Sequence, residues 1–228
     1  MNLEYINKLS KHGMFKSLNK SELDLISKSS ILLNFKRGET IFKQGTPSNH
    51  LIFLLNGLAK NYKEIDEATN RITFLIIEGQ FINLSNAIGK VNNIHSAVAV
   101  EDSTCLMIDL NVISELIKSN SNFALEAIEY VCAKDTKGFD FILLLQHKHT
   151  QGRLATALIY FYKAVYRNTK FKLTISRKEI AEIVGMSNEN IVRELTRFSK
   201  EGVINVEGRY VEITDPERLQ KISDIGWF

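Results

Sequence analysis

The chain has 228 residues, 44% of them hydrophobic, a mean hydropathy of −0.09 and a formal net charge of +3. That is an ordinary balance for a globular chain, with length for one large domain or two small ones. Apolar runs such as Phe141 to Leu145 are far too short to span a bilayer, and the first residues lack a signal-peptide core, so the expected location is cytoplasmic, with no membrane partner. The 2 cysteines, Cys105 and Cys132, are not clustered, which argues against a disulfide framework and a thiolate metal site.

Residues 3–28 read as helical, anchored by Leu3, Ile6, Leu9, Leu23, Leu25 and Ile26, with Ser21 and Asp24 as a cap-like start for the second piece. From Ile31 the period changes. Short segments rich in β-branched and aromatic residues cover 31–35, 40–43, 51–55, 57–63, 71–77, 94–100 and 104–108. Turn signals separate them at Arg37 to Glu39, Gly45 to Pro47, Asn56 and Gly57, Asp66 to Asn70, and Glu78 and Gly79. Many short strands at this spacing predict a sandwich or barrel. Residues 111–119 suit a short helix, and Phe123 to about His149 reads as one long one. In it Ile128, Val131, Asp135, Gly138, Ile142, Leu145 and His149 recur at three and four, the seam of a two-stranded coiled coil, so a second copy of the chain is an expected partner. A second stripe, Cys132, Phe139 and Leu143, is expected to pack on the β region. Asp135 and Gly138 weaken the middle of the seam; glycine inside a helix costs roughly 1 kcal/mol against alanine.

The most informative stretch is Ile175 to Gly202. Ser176 opens a helix with Glu179 three residues on, a capping box in which each side chain satisfies a backbone donor of the other. Ile180, Ile183 and Val184 share a face expected to be buried, and Ala181 is small where a second helix must cross. Gly185 breaks the helix at a position needing positive φ. Ser187 caps the next helix, in which Ile191, Leu195 and Phe198 point inward. The opposite face carries Asn188, Glu189, Arg193 and Arg197, side chains with the chemistry of base edges and phosphates. A helical hairpin inside a larger core would share this pattern, but Val203 to Thr214 then alternates apolar and polar, with Glu207 and Gly208 as its turn. Helix, turn, helix, hairpin is the order of a winged helix-turn-helix. Arg209, just past the turn, can reach a phosphate. A last helix starts at Asp215 and Pro216. The charge excess lies in this half: residues 150–228 hold 13 Lys/Arg against 10 Asp/Glu, and residues 1–149 hold equal numbers.

This stretch resembles the DNA-binding domain of the Crp/Fnr superfamily of bacterial transcription regulators. The likeness runs from Ile175 to Phe198 through Lys200 to Ile204 and the hairpin, and includes the family's Glu-x-x-x-Arg pair as Glu189 and Arg193. Gly152 to Tyr162 resembles that domain's first helix. Arg37 to Gly45 followed by Leu51 to Gly57 looks like the start of the family's cyclic-nucleotide-binding β-roll, with Gly38, Gly45 and Gly57 as turn glycines. The resemblance implies an α+β chain: an antiparallel β-roll with flanking helices over 1–120, a dimerisation helix over 121–149 and a winged helix-turn-helix over 150–228. It also implies a homodimer on double-stranded DNA, acting with RNA polymerase. Arg193 would take a guanine and Glu189 a cytosine amino group. Asn188 and Asn190 would take a base or adjacent phosphate, and Ser176, Arg177, Lys178, Ser187, Arg197 and Arg209 the backbone. Asn188 stands where cyclic-AMP receptors carry Arg, so the outermost base of the half-site stays open.

The ligand cassette departs from the family. Nucleotide-binding members open a short helix with Gly-Glu, the Glu on the ribose, and place an Arg before Ser or Thr for the cyclic phosphate. Here Asn83, Leu84 and His95, the last before Ser96, occupy those positions. A cyclic nucleotide would lose its ribose acceptor and its bidentate phosphate partner. The expectation is no useful binding of cyclic AMP or cyclic GMP, a pocket filled by side chains such as Leu84, and no cofactor. A different small-molecule effector stays open, since a protonated His95 can meet an anion. The 5 histidines offer no metal-binding pair on a strand. No nucleophile elbow, Walker loop or dinucleotide fingerprint occurs, so no metal and no enzyme are expected. The N-terminal cysteine cluster of the oxygen-sensing branch is absent. The alternative is a ligand-sensing roll acting through a protein partner, with a degenerate helix-turn-helix.

Overall fold

The computed structural model describes residues 3–65 and 70–225; within them the side chains of residues 3, 4, 70, 144–146 and 225 lie outside the described set, and so does the expected turn at Asp66 to Asn70 up to its last residue. The chain forms two compact units, Met1–Lys137 and Gly138–Phe228. The first opens with helix α1 (Leu3–Ser10), a 3-10 turn at Gly13–Phe15 and helix α2 (Lys20–Lys28). The cap of α2 is not Ser21 with Asp24. Asn19 accepts from the backbone N–H of Ser21 and Glu22, and Glu22 returns a bond to Asn19, a full capping box two residues earlier. Asn19 is the better cap because it also has Glu in the third helical position.

Among the described residues the strands that follow are β1 (Ser30–Phe35), β2 (Thr40–Phe42), β3 (His50–Asn56), β4 (Leu58–Glu64), β5 (Asn70–Ile77), β6 (Ser96–Ala99) and β7 (Ser103–Asp109). They pair antiparallel as two sheets, in the orders β1-β7-β3 and β2-β6-β4-β5. Ile52 and Leu54 of β3 face one core with Ile41, Ala59, Ile76, Ala97 and Cys105, between the sheets. Leu51, Phe53 and Leu55 face a second core with Leu9, Phe15, Ile26, Ile113 and Phe123. Burial on both faces explains the unbroken apolar run Leu51 to Leu55. Gly38, Gly45 and Gly57 all have positive φ, as the turns require. Short helix α3 (Leu84–Ile88) and helix α4 (Leu110–Ser119) flank the roll.

Helix α5 (Ser121–His147) runs across the division between the units. Phe123 and Ala127 are buried against the helix-covered face of the roll, with Tyr130 and Val131 packed beside them. Val131 is half-buried beside the roll. The second stripe is corrected as well: Cys132, Phe139 and Leu143 are exposed. Exposed Leu125, Ile128, Cys132, Asp135, Phe139 and Ile142 recur at three and four on one face. Ile128, Asp135 and Ile142 are common to this stripe and to the expected seam, while Cys132 and Phe139 stand one residue beyond Val131 and Gly138. Gly138 is half-buried, and the side chain of Leu145 lies outside the described set.

The second unit contains helix α6 (Thr150–Tyr160), a π turn at Phe161–Val165, β8 (Lys170–Lys172), α7 (Arg177–Val184), α8 (Asn188–Lys200), β9 (Ile204–Glu207), β10 (Tyr210–Ile213) and α9 (Pro216–Ile225). Leu154, Leu158, Phe161, Ile180, Leu195, Phe198 and Leu219 build its core. Asp215 caps α9 by accepting from Arg218 N–H, with Pro216 at the first helical position.

His12 lies in an aromatic cluster of the first unit. Its ring is 4.6 Å from Tyr130, 5.1 Å from Phe81 and 5.5 Å from Phe53, and its Nδ1 accepts from Met14 N–H. Burial, then nearby Lys134, pushes its pKa from 6.5 down to about 4. The folded protein keeps His12 neutral where the unfolded chain takes up a proton, so its contribution is intact above 6.5 and is lost as pH falls toward about 4. Urea unfolding across that window should show stability falling with pH, and His12→Phe should flatten the slope. Equal slopes would mean that His12 titrates alike in both states.

Candidate nucleic-acid interface

The reader is built on two capped helices. Ser176 Oγ accepts from Glu179 N–H at 3.2 Å, and Glu179 accepts from Ser176 N–H at 2.6 Å, the expected capping box. Ile180, Ala181 and Val184 are buried, while Ile183 is only half-buried. Gly185 ends α7 at φ +65°, a left-handed conformation that a side chain would strain. Arg153, from α6, donates through Nη1 to the Gly185 carbonyl and through Nε to that of Lys148. The inter-helix turn is thus pinned from a third helix. Ser187 then caps α8 by accepting from Asn190 N–H at 3.2 Å.

Ile191, Leu195 and Phe198 of α8 are buried, and Asn188, Glu189, Arg193 and Arg197 are exposed. Glu189 sits in the first turn, where hydrogen bonds from its own backbone N–H, then from Ser187, hold its carboxyl below the usual range. Asn190 is half-buried. Arg197 Nε donates to Glu201 at 2.9 Å, and Glu201 also accepts from Arg218.

The wing corrects one detail. Tyr210 pairs with Glu207, so the two-residue turn is Gly208 and Arg209, one residue later than expected. Gly208, at φ +62°, occupies its first position, and hairpin turns need positive φ there. Arg209 is therefore at the tip and not beyond it. Arg177 Nη2 donates to the Gly208 carbonyl, and Arg209 Nη2 donates to the Thr174 carbonyl, each at 3.4 Å. These bonds clasp the tip to the start of α7, gathering Arg177, exposed Lys178 and Arg209 beside Ser176. Three features escaped the sequence reading. The Arg153 clamp has no local signal. The Lys172 ammonium over the Tyr210 ring depends on strand register. Buried Glu194 was visible in principle, since it lies three residues after Ile191 on the inward stripe.

Comparison with known proteins agrees with this geometry. The Crp-like helix-turn-helix domain model matches residues 152–222, and the cyclic nucleotide-binding domain model matches residues 32–120. The fumarate and nitrate reduction regulatory protein of Escherichia coli is 28% identical over 215 residues, covering 91% of this chain and 84% of that protein. This chain is a Crp/Fnr-family transcription regulator. FixK2 from Bradyrhizobium japonicum shares the fold with a TM-score of 0.76 at 18% identity, over 84% of this chain and 96% of its own. TTHB099, a CRP-family regulator from Thermus thermophilus, does so with a TM-score of 0.71 at 17% identity, over the same shares.

The Crp/Fnr ligand cassette here is occupied by its own hydrogen bonds. Asn83 is buried; its Oδ1 accepts from Ile52 N–H at 3.0 Å, and its Nδ2 donates to Ser48 Oγ and the His50 carbonyl. Leu84 is buried in the helix-covered core. Ser96 Oγ accepts from Gln44 N–H at 2.9 Å and donates to Glu64 at 2.7 Å. His95 is half-buried, and burial, then Lys63, lowers its pKa. A cyclic phosphate arriving at Ser96 would meet the Glu64 carboxylate and a histidine that disfavours its proton. These residues do not fit a cyclic nucleotide. Cys105 is buried with its thiol pushed up to about 12, and Cys132 is exposed on α5. Two thiols on separate elements do not fit a cysteine-held iron–sulfur cluster. Among the described residues no group of three or more His, Cys, Asp or Glu could hold a metal ion, and no helix is long and apolar enough to cross a membrane.

Proposed function

We propose that this regulator works as a cytoplasmic homodimer that reads a pseudo-palindromic duplex and does not respond to cyclic AMP. Residues 1–120 form the sensor roll, 121–149 the dimerisation helix and 150–228 the reader. The observation that carries the reading is the outward face of α8, where Glu189 and Arg193 lie one helical turn apart behind a buried stripe. Arg193 takes a guanine O6 and N7, Glu189 a cytosine amino group, and Asn188 and Asn190 a base or phosphate. Ser176, Ser187, Arg177, Lys178, Arg197 and Arg209 position the sugar–phosphate backbone. Two recognition helices would enter major grooves about 34–36 Å apart. Output goes to RNA polymerase, and no enzymatic step is involved. The effector, if the roll takes one, is not a cyclic nucleotide.

Pairing is supported by the exposed apolar stripe Leu125, Ile128, Cys132, Phe139 and Ile142, interrupted by Asp135. Single-sign apolar exposure along one face of a 27-residue helix is unusual for a monomer and fits a self-matching seam.

Selection from a random duplex pool, without effector, should yield a two-fold symmetric motif. Arg193→Ala should then cost about 1–3 kcal/mol of binding and relax specificity at one base pair, while Arg209→Ala weakens all sequences alike and lowers the salt slope by about one. Uniform weakening by Arg193→Ala would sink its role as a base reader. Phe139→Lys should convert the dimer to a monomer in sedimentation, and a dimer that survives it places the seam elsewhere. Cyclic AMP titrated into the protein should leave its melting temperature unchanged. A saturable rise would show that the cassette is functional.

A further inference from the structure

Glu194 departs from the pattern of its helix. Position 194 lies three residues after Ile191 and four before Phe198, inside the stripe that α8 buries. An apolar residue is what that position calls for. It carries instead a carboxyl group whose side chain is 7% exposed. One oxygen, Oε2, is buried without a hydrogen-bond partner. An unmatched buried acceptor weakens a fold, and an apolar side chain of similar size removes the deficit. The other oxygen, Oε1, accepts from Arg193 Nε at 3.4 Å. Adjacent helical side chains diverge by about 100°. The contact therefore exists because the Arg193 side chain folds back toward a buried oxygen. Glu201, just past the end of the same helix, differs, since both its oxygens are matched, by Arg197 and by Arg218.

We propose that Glu194 is a positioning residue for base reading, holding Arg193 at Nε so that its terminal Nη1/Nη2 pair faces outward as the two parallel donors that guanine accepts. The inference rests on Arg193 as the guanine reader. A guanidinium has five N–H donors in a fixed fork, and an unheld one offers several edges to any nearby acceptor, phosphates included. Engaging Nε leaves the end-on edge that fits guanine O6 and N7. The carboxyl group also sets a negative charge near the duplex, which weakens binding to unrelated sequence. Glu194 thus contributes discrimination at the expense of stability and of non-specific affinity.

The test compares the full-length protein with Arg193→Ala, Glu194→Leu, Glu194→Gln and the Arg193→Ala/Glu194→Leu pair, on the selected duplex and on duplexes altered at single base pairs, with thermal unfolding of each. Glu194→Leu should melt at or above the wild-type temperature and bind unrelated duplex at least as tightly. It should lose about three- to tenfold of the discrimination at the base pair that Arg193→Ala affects, and nowhere else. Glu194→Gln, whose carbonyl oxygen can still accept from Nε, should retain part of it. The double variant should be no worse than Arg193→Ala alone. Full discrimination in Glu194→Leu, or a loss spread over all positions, overturns the proposal. If Glu194→Leu fails to fold, Glu194→Met replaces it, and failure of both overturns the proposal by making the carboxyl group structural. If Arg193→Ala itself leaves discrimination untouched, it is the assignment of Arg193 as reader that falls.

Discussion

A helix can offer one face to a groove only if its opposite face is fixed, and the reader depends on that constraint. Ile191, Leu195 and Phe198 hold α8 by complete or nearly complete burial. Its entry is set by the left-handed Gly185 and the Ser187 cap, and the turn is pinned by Arg153 from a third helix. With the roll angle and the start of α8 both fixed, the backbone places Asn188, Glu189 and Arg193 on the outward face. The wing follows the same logic. Arg177 and Arg209 exchange bonds with backbone carbonyls across the α7 start and the hairpin tip, so the cationic cluster is assembled before DNA arrives. Preorganisation of this kind lowers the ordering cost of binding.

The roll shows the reverse use of polar groups. Asn83, at the start of α3, makes two hydrogen bonds to β3 and a third to Ser48 just before it, and Ser96 is held between Gln44 and Glu64. In a ligand site those groups would face an open cavity. Here they are matched by the protein's own backbone and side chains. Buried polar groups are matched in folded proteins because an unmatched one is costly. A side chain that has found internal partners no longer gains by meeting a ligand.

Much of this was legible in the sequence because local chemistry and global fold agree. The Ser176 and Ser187 caps, the Gly185 break and the inward stripe of α8 are each written within a few residues, and all appear as read. The strands of the roll were legible from composition and turn residues. The errors came where two assignments were locally equivalent. The Ser21 and Asn19 caps differ only in which carboxylate lies three residues on. On α5 apolar residues line two faces of the helix, so Cys132, Phe139 and Leu143, expected against the roll, prove exposed, while Val131 packs beside it. The Gly208–Arg209 turn was displaced by one residue, since strand register is set by pairing with β8 and β9 and not by the glycine alone. Glu194 was overlooked because a charged residue on a charged helix reads as exposed until its phase is counted.

The two faces of α5 have a mechanical consequence. Its first half is keyed to the roll through Phe123, Ala127, Tyr130 and Val131, while Phe141, past Gly138, lies 6.4 Å from the Tyr160 ring. One set of backbone hydrogen bonds runs through both stretches of the helix. Gly138 lies inside α5, where a glycine costs roughly 1 kcal/mol against alanine. A glycine in that turn brings no side chain to packing, so the turn rests on its backbone hydrogen bonds alone.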